Sequence, residues 1–238
     1  NKAIKNIRKF HNKQLPSGFT INQTDGTQSC FKWRPLERVG LYIPGGRFPL
    51  FSTLLMNVIP AQVAGVKEIA ICSPPSKSHF VDETILAVCS ILGISEVYSI
   101  GGAQAIAALA YGTETIPAVD KITGPGNSYV TSAKKMVRSD VDIDMLAGPT
   151  ELVVFADETA SPEKIASDLI AQAEHDEEAF PVLITADEQI ALDTNNYIAH
   201  GLENLSTENT ARTALRDSGF AYVAKSVEEC ISIINRIS

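Results

Sequence analysis

VDKITGPGN, residues 119–127, joins a short β-rich run to a glycine loop, and residues 128–137 beyond it take up helical spacing. Strand, glycine turn and helix in that order suit one half of a strand-helix-strand crossover. The same sequence of events recurs on either side. PGG (44–46) follows VGLYI (39–43), GGAQ (101–104) follows EVYSI (96–100), and AGPT (147–150) follows DIDML (142–146). Further β-rich runs are EIAICS (68–73), ELVVFA (151–156), PVLIT (181–185) and FAYVA (220–224). Helical spacing occupies 50–64, 80–92, 103–111, 162–175, 189–204 and 227–237. Regular alternation of the two kinds predicts parallel sheets with right-handed crossovers, an α/β fold.

Each glycine group is expected just beyond the C-terminal end of a strand, and the first three lead into helices. In an open parallel sheet that rim is where ligands bind, because glycine lets backbone approach them and a helix N-terminus offers free N–H groups to anions. Glycines that only turn the chain would look the same one loop at a time. No loop has the GxGxxG or GxxxxGK[ST] pattern, so any nucleotide site here lacks the usual fingerprints.

The 238 residues, 45% of them hydrophobic, are enough for one large domain or two modest ones. A formal charge of −8 argues against a broad nucleic-acid surface, since phosphate binding needs a cationic face and AKKMVR (133–138) is a short basic run. No apolar stretch approaches the roughly 18 residues of a membrane span, and no charged-then-apolar leader is seen. Cys30, Cys72, Cys89 and Cys230 form no CxxC pair, which suits reduced thiols in a cytoplasm and leaves any metal to nitrogen and oxygen ligands. Small molecules are the expected partners. The chain starts at Asn1 and stops at Ser238 within a helical pattern, as a fragment would, although processing would look alike.

The most informative polar stretch is DLIAQAEHD, residues 168–176. Ser161 suits an N-cap and Pro162 a first helical position, while Ile165, Ala166, Leu169, Ile170 and Ala173 make an apolar stripe. Gln172 and His175 then lie one turn apart on one edge of that stripe, with Asp168 nearby. A neutral imidazole nitrogen and an amide oxygen at that spacing can ligate a metal, and they can equally be the solvated end of an acidic helix. His11, His79 and His200 have no comparable neighbours.

Taken together, the stretches at 39–75, 101–127, 142–157 and 166–176 resemble the histidinol dehydrogenase family, collinearly from about residue 34 to 176 and more weakly to 238. The resemblance implies oxidation of L-histidinol through L-histidinaldehyde to L-histidine in histidine biosynthesis, with NAD and zinc as cofactors, in a cytoplasmic homodimer. It implies two Rossmann-like domains, one inserted into the other: 44–149 carrying the NAD loops, and 1–43 with 150–238 carrying the zinc and substrate residues. By motif, Tyr42 of LYIPGG, Gln104 of GGAQA and Asn127 of GPGN look like NAD contacts. Thr150 stands where the family usually has a substrate-contacting serine, keeping the hydroxyl and adding a methyl. Gln172 and His175 look like two zinc ligands that also meet the substrate. The family's catalytic Glu–His pair, in a Pro-Glu-His-Leu motif, is expected beyond Ser238, and that motif does not occur in these residues. The other expected ligands, an aspartate and a histidine from the partner subunit, also lie further on, so this chain alone is expected to be inactive. The rival readings are an aldehyde-dehydrogenase-like oxidoreductase, which needs a catalytic cysteine in a ligand loop, and a non-catalytic nucleotide-binding or interaction module.

Overall fold

The computed structural model describes residues 2–45, 50–76, 79–146, 150–203 and 205–237. The chain divides into two compact units, Asn1–Ala147 and Gly148–Ser238. The first unit runs α1 (Lys2–Asn12), β1 (Phe19–Asn22), β2 (Gln28–Phe31), β3 (Arg38–Tyr42), α2 (Phe51–Ala64), β4 (Glu68–Ser73), α3 (Glu83–Leu92), β5 (Val97–Ser99), α4 (Gly102–Tyr111), β6 (Lys121–Thr123), α5 (Ser128–Val137) and β7 (Asp142–Ile143). Its main sheet has five parallel strands in the order β5-β4-β3-β6-β7. Chain order therefore reverses direction at β3, with β4 and β5 laid down on one side and β6 and β7 on the other. That is a doubly wound sheet, whose switch point lies between β3 and β6.

Side chains of alternate strand positions feed two cores, as the two-residue period of a strand requires. Val39, Leu41, Ile69 and Ile71 pack with Leu54, Val58 and Ile59 of α2 and Ile85 and Cys89 of α3. Tyr42, Ala70, Cys72, Ile122 and Ile143 pack on the opposite face with Ile106 and Leu109 of α4 and Val130 and Val137 of α5. Helices on both faces explain why the central strands read as nearly continuous apolar runs. Helix α3 begins at Glu83, not at the expected residue 80, because the Asp82 carboxylate accepts the Thr84 N–H at 2.8 Å and sets the N-cap. An Asp82→Ala protein should lose about 1 kcal/mol, read as a shift of roughly 2–4 °C in the thermal midpoint of this unit; an unchanged melt would show that the cap contributes nothing.

The second unit runs β8 (Glu151–Ala156), α6 (Pro162–Ala173), β9 (Phe180–Thr185), α7 (Glu188–Leu202), α8 (Glu208–Asp217), β10 (Phe220–Val223) and α9 (Val227–Ile237). Its parallel sheet has the order β10-β9-β8. Central β9 serves both faces. Leu183 packs with Ile165 and Leu169 of α6 and Ile190 of α7, whereas Val182 and Ile184 pack with Cys230 of α9.

The expected α/β class and parallel sheets are present, and all eight anticipated strands form. The division expected at Pro44, with residues 1–43 assigned to the same domain as 150–238, is corrected. Strand β3 pairs with β4 on one edge and β6 on the other, so residues before Pro44 supply the centre of the first unit's sheet. Three elements outside the expected set also appear, namely α1, the antiparallel β1–β2 hairpin and α8. Gly46 of the PGG loop, Ala147 to Pro149 of AGPT, Asn204 and Ser238 lie outside the described residues.

Candidate functional site

Because the five strands of the first unit's main sheet all point one way, the loops after β3, β5 and β6 share one rim. Tyr42 ends β3, Gln104 lies in the first turn of α4, and Asn127 caps α5. The fold thus gathers the three residues read as NAD contacts on the carboxyl rim of one sheet. Tyr42 is 4% exposed, and its hydroxyl accepts the Gly102 N–H at 3.1 Å, joining the end of β3 to the start of α4. Burial holds its phenol above the usual value, so it stays neutral. Gln104 is exposed. Asn127 is also exposed, and its Oδ1 accepts the Val130 N–H at 3.2 Å, which fixes the N-terminus of α5 at the rim.

The Gly124–Asn127 loop is held from behind by groups whose role was not legible in the sequence. Gly124 has φ +116°, and a Cβ there would stand 2.0 Å from the Tyr42 carbonyl oxygen, so only glycine lets the loop lie against the end of β3. Its N–H donates to Asp144 Oδ2 at 2.9 Å, and its carbonyl accepts from Lys134 Nζ at 3.0 Å. Lys134 is 3% exposed and pairs with the Asp144 carboxylate, which also accepts the Met145 N–H at 2.7 Å. Alongside, the Thr123 hydroxyl donates to Asn57 Oδ1 at 2.8 Å. Asn57, Gly124, Thr131, Lys134 and Asp144 border a cavity of about 150 Å³ that Pro125, Gly126 and Met145 complete.

In the second unit, Thr150, Gln172 and His175 fall at the opposite kind of rim. Helix α6 runs back against its strands, so its end lies at the edge where β8 and β9 begin. Thr150 immediately precedes β8, and its carbonyl accepts the Phe180 N–H at 3.0 Å where β9 starts. The chain reaches that point within five residues of His175. Helix α6 ends at Ala173, not at the expected residue 175: Glu174 is the C-cap and His175 lies in the turn after it. The His175 N–H donates to the Gln172 carbonyl at 3.2 Å, so the pair still spans one turn. Glu174 fixes the bend by accepting the Thr207 hydroxyl at 2.6 Å. Gln172 is half-buried, His175 is exposed, and neither side chain is hydrogen-bonded among the described residues. Asp168 is exposed.

Those two neutral donors suit zinc in type and fall short of the three or four ligands such sites use. They fit as part of a ligand set. Among the described residues no group of three or more histidine, cysteine, aspartate or glutamate side chains is placed to hold a metal. None of the described helices is long and apolar enough to cross a membrane.

A doubly wound sheet with glycine loops at its switch point, followed by a second parallel-sheet unit, defines a Rossmann-like α/β protein, a class of fold in which ligands generally bind at the strand ends. The family model described as histidinol dehydrogenase matches residues 1–238. The chain belongs to the histidinol dehydrogenase family, a family of oxidoreductases. It is 48% identical over 236 residues to histidinol dehydrogenase of Halalkalibacterium halodurans, covering 99% of this chain and 56% of the relative. Against the Bacillus subtilis enzyme, identity is also 48% over 99% of this chain and 55% of the relative. The crystal structure of histidinol dehydrogenase from Elizabethkingia anophelis superposes with a TM-score of 0.90 at 45% identity, covering 98% of this chain and 54% of that one. The chain thus spans about half the length of the relatives it matches. An acetylating aldehyde dehydrogenase from Geobacillus thermoglucosidasius, 14% identical over 99% of this chain and 64% of that one with a TM-score of 0.59, shares the fold alone.

Proposed function

We propose that this chain carries the dinucleotide loops and part of the zinc set of an enzyme that oxidises L-histidinol through L-histidinaldehyde to L-histidine. NAD is the hydride acceptor, and the working form is a cytoplasmic homodimer acting on a small molecule, with no nucleic-acid or membrane partner. The observation that carries the reading is the gathering of Tyr42, Gln104 and Asn127 on one strand-end rim, within a chain that matches the family throughout. Tyr42 seats the cofactor loop from β3, while Gln104 and Asn127 offer exposed amides to the dinucleotide. Gln172 and His175 donate an oxygen and a nitrogen to zinc, and the Thr150 hydroxyl meets the substrate. Bound zinc would act as a Lewis acid that grips the imidazole and amine of histidinol and so places its carbinol carbon. Removal of the alcohol proton and activation of water need the Glu–His pair that the family resemblance puts outside these residues.

The aldehyde-dehydrogenase alternative requires a reactive thiol. Cys72, Cys89 and Cys230 are buried, and burial pushes Cys72 up to about 12 and Cys89 up to about 11, so these thiols pack and do not attack. Cys30 is exposed on β2, within a strand of the hairpin and not in one of the loops after β3, β5 or β6.

The test is to supply zinc, histidinol and NAD to the 238-residue chain and, in parallel, to the protein expressed from its complete coding region. The latter should form two NADH per histidinol, and the former should form none above background. Comparable rates from both would refute the assignment of acid–base chemistry to residues beyond Ser238, and no NADH from either would refute the function.

A further inference from the structure

Buried lysines are rare unless paired, and Lys134 is the only Lys or Arg among the buried residues described. Its ammonium and the Asp144 carboxylate together engage both backbone polar atoms of Gly124, the N–H through Asp144 and the carbonyl through Lys134. The two side chains come from α5 and from the segment just after β7, so the clamp ties two other parts of the first unit to this one residue. That residue sits at the switch point, three residues before the Asn127 cap. A shift of Gly124 is transmitted along two intervening residues to Asn127 and to the free N–H groups of α5. An apolar pair could pack this space without fixing the orientation of the Gly124 backbone, whereas charged hydrogen bonds fix it.

We infer that Lys134 and Asp144 are positioning residues of the dinucleotide site, holding the Gly124–Asn127 loop so that Asn127 and the α5 N-terminus meet NAD. This rests on the reading of Asn127 and Gln104 as NAD contacts. The experiment uses the protein expressed from its complete coding region, carrying Lys134→Met, Lys134→Arg or Asp144→Asn, with NADH binding followed by its fluorescence and steady-state kinetics in both substrates. Lys134→Met is expected to raise the NADH Kd and the KM for NAD about ten-fold or more, with the KM for histidinol within about two-fold of the parent. Lys134→Arg, which keeps the charge, should recover most of that loss. Should Lys134→Met fail to fold, Asp144→Asn, which keeps one acceptor oxygen for the Gly124 N–H, carries the same expectation. A lower melting temperature with an unchanged NADH Kd would overturn the inference and leave the pair a purely structural role. Gln104→Ala and Asn127→Ala separate the two levels. If they weaken NADH binding and the Lys134 and Asp144 variants do not, the positioning role alone fails; if they leave NADH binding unchanged, the nucleotide reading fails and the inference with it.

Discussion

A Gly124→Ala protein is expected to unfold roughly 10 °C below the parent, corresponding to a loss of about 3–5 kcal/mol. Two costs combine at this position. The backbone is at φ +116°, where an L side chain is strained, and the added Cβ would lie 2.0 Å from the Tyr42 carbonyl oxygen and 2.9 Å from its carbonyl carbon. The obstacle is main chain in the central strand of a sheet, so no rotamer change relieves it. Either β3 or the loop must move. Movement of the loop would also loosen the hydrogen bonds from Gly124 to Asp144 and Lys134. Gly26→Ala is the matched control, because Gly26 also has a positive φ, +89°, but a Cβ there meets nothing within 4 Å. Conformational strain alone should cost that variant about 1 kcal/mol. The check is thermal and urea unfolding of all three proteins. A Gly124→Ala midpoint no lower than that of Gly26→Ala would mean that the collision with β3 is relieved at no cost.

The second large effect concerns the metal. In the protein expressed from its complete coding region, His175→Ala should lower histidinol oxidation by about 100-fold or more, and zinc retained after dialysis should fall with it. Removing one donor from a four-ligand site leaves solvent to fill the position, and the remaining ligands no longer set the geometry. Since the side chain is exposed and in a turn, the fold should be indifferent, with a midpoint within about 2 °C of the parent. His200→Ala tests specificity, because that exposed ring, bonded to the Asn196 carbonyl at 2.8 Å, has no place in the site. Chelation of the parent followed by zinc addition should restore activity, and the same addition to His175→Ala should not. Full zinc content and full activity in His175→Ala would remove this residue from the ligand set.

How much could be read in advance depended on whether a property was local. The strands at the centre of the two sheets, β3, β4 and β9, are apolar runs, and burial on both faces kept those runs visible. The β1–β2 hairpin was invisible for the opposite reason: all its residues are exposed, so no face is marked by apolar alternation. Helix α8, ENTARTALRD, buries only Thr210, Ala211 and Ala214, a stripe too small to stand out. The domain boundary was misplaced because glycine loops mark the ends of strands but not which strands pair, and β3 pairs across a separation of some eighty residues in the chain. Of the candidate site residues, Gln172 and His175 stood out by helical spacing, which left a metal site and a solvated helix end both open; the family motifs proposed their role, as they did for Tyr42, Gln104 and Asn127. Lys134 looked like part of a short basic run on a helix. Its partner Asp144 belongs to another element, and only the fold brings them to one residue.

The same long-range pairing governs the order in which the first unit can be assembled on a ribosome. Strand β3 receives β4 after a single helical crossover, but its other neighbour, β6, is residues 121–123. At synthesis rates of about 5–20 residues per second, the opposite edge of the central strand stays open for several seconds after it emerges. Through that interval a nascent chain holds at most the three-stranded half β3-β4-β5, one edge of which is β3, the strand that carries Tyr42 and the carbonyl against which Gly124 will lie. The rim of the switch point therefore comes into being only with the second half of the sheet, and the β6-facing edge of β3 lacks its native partner until then.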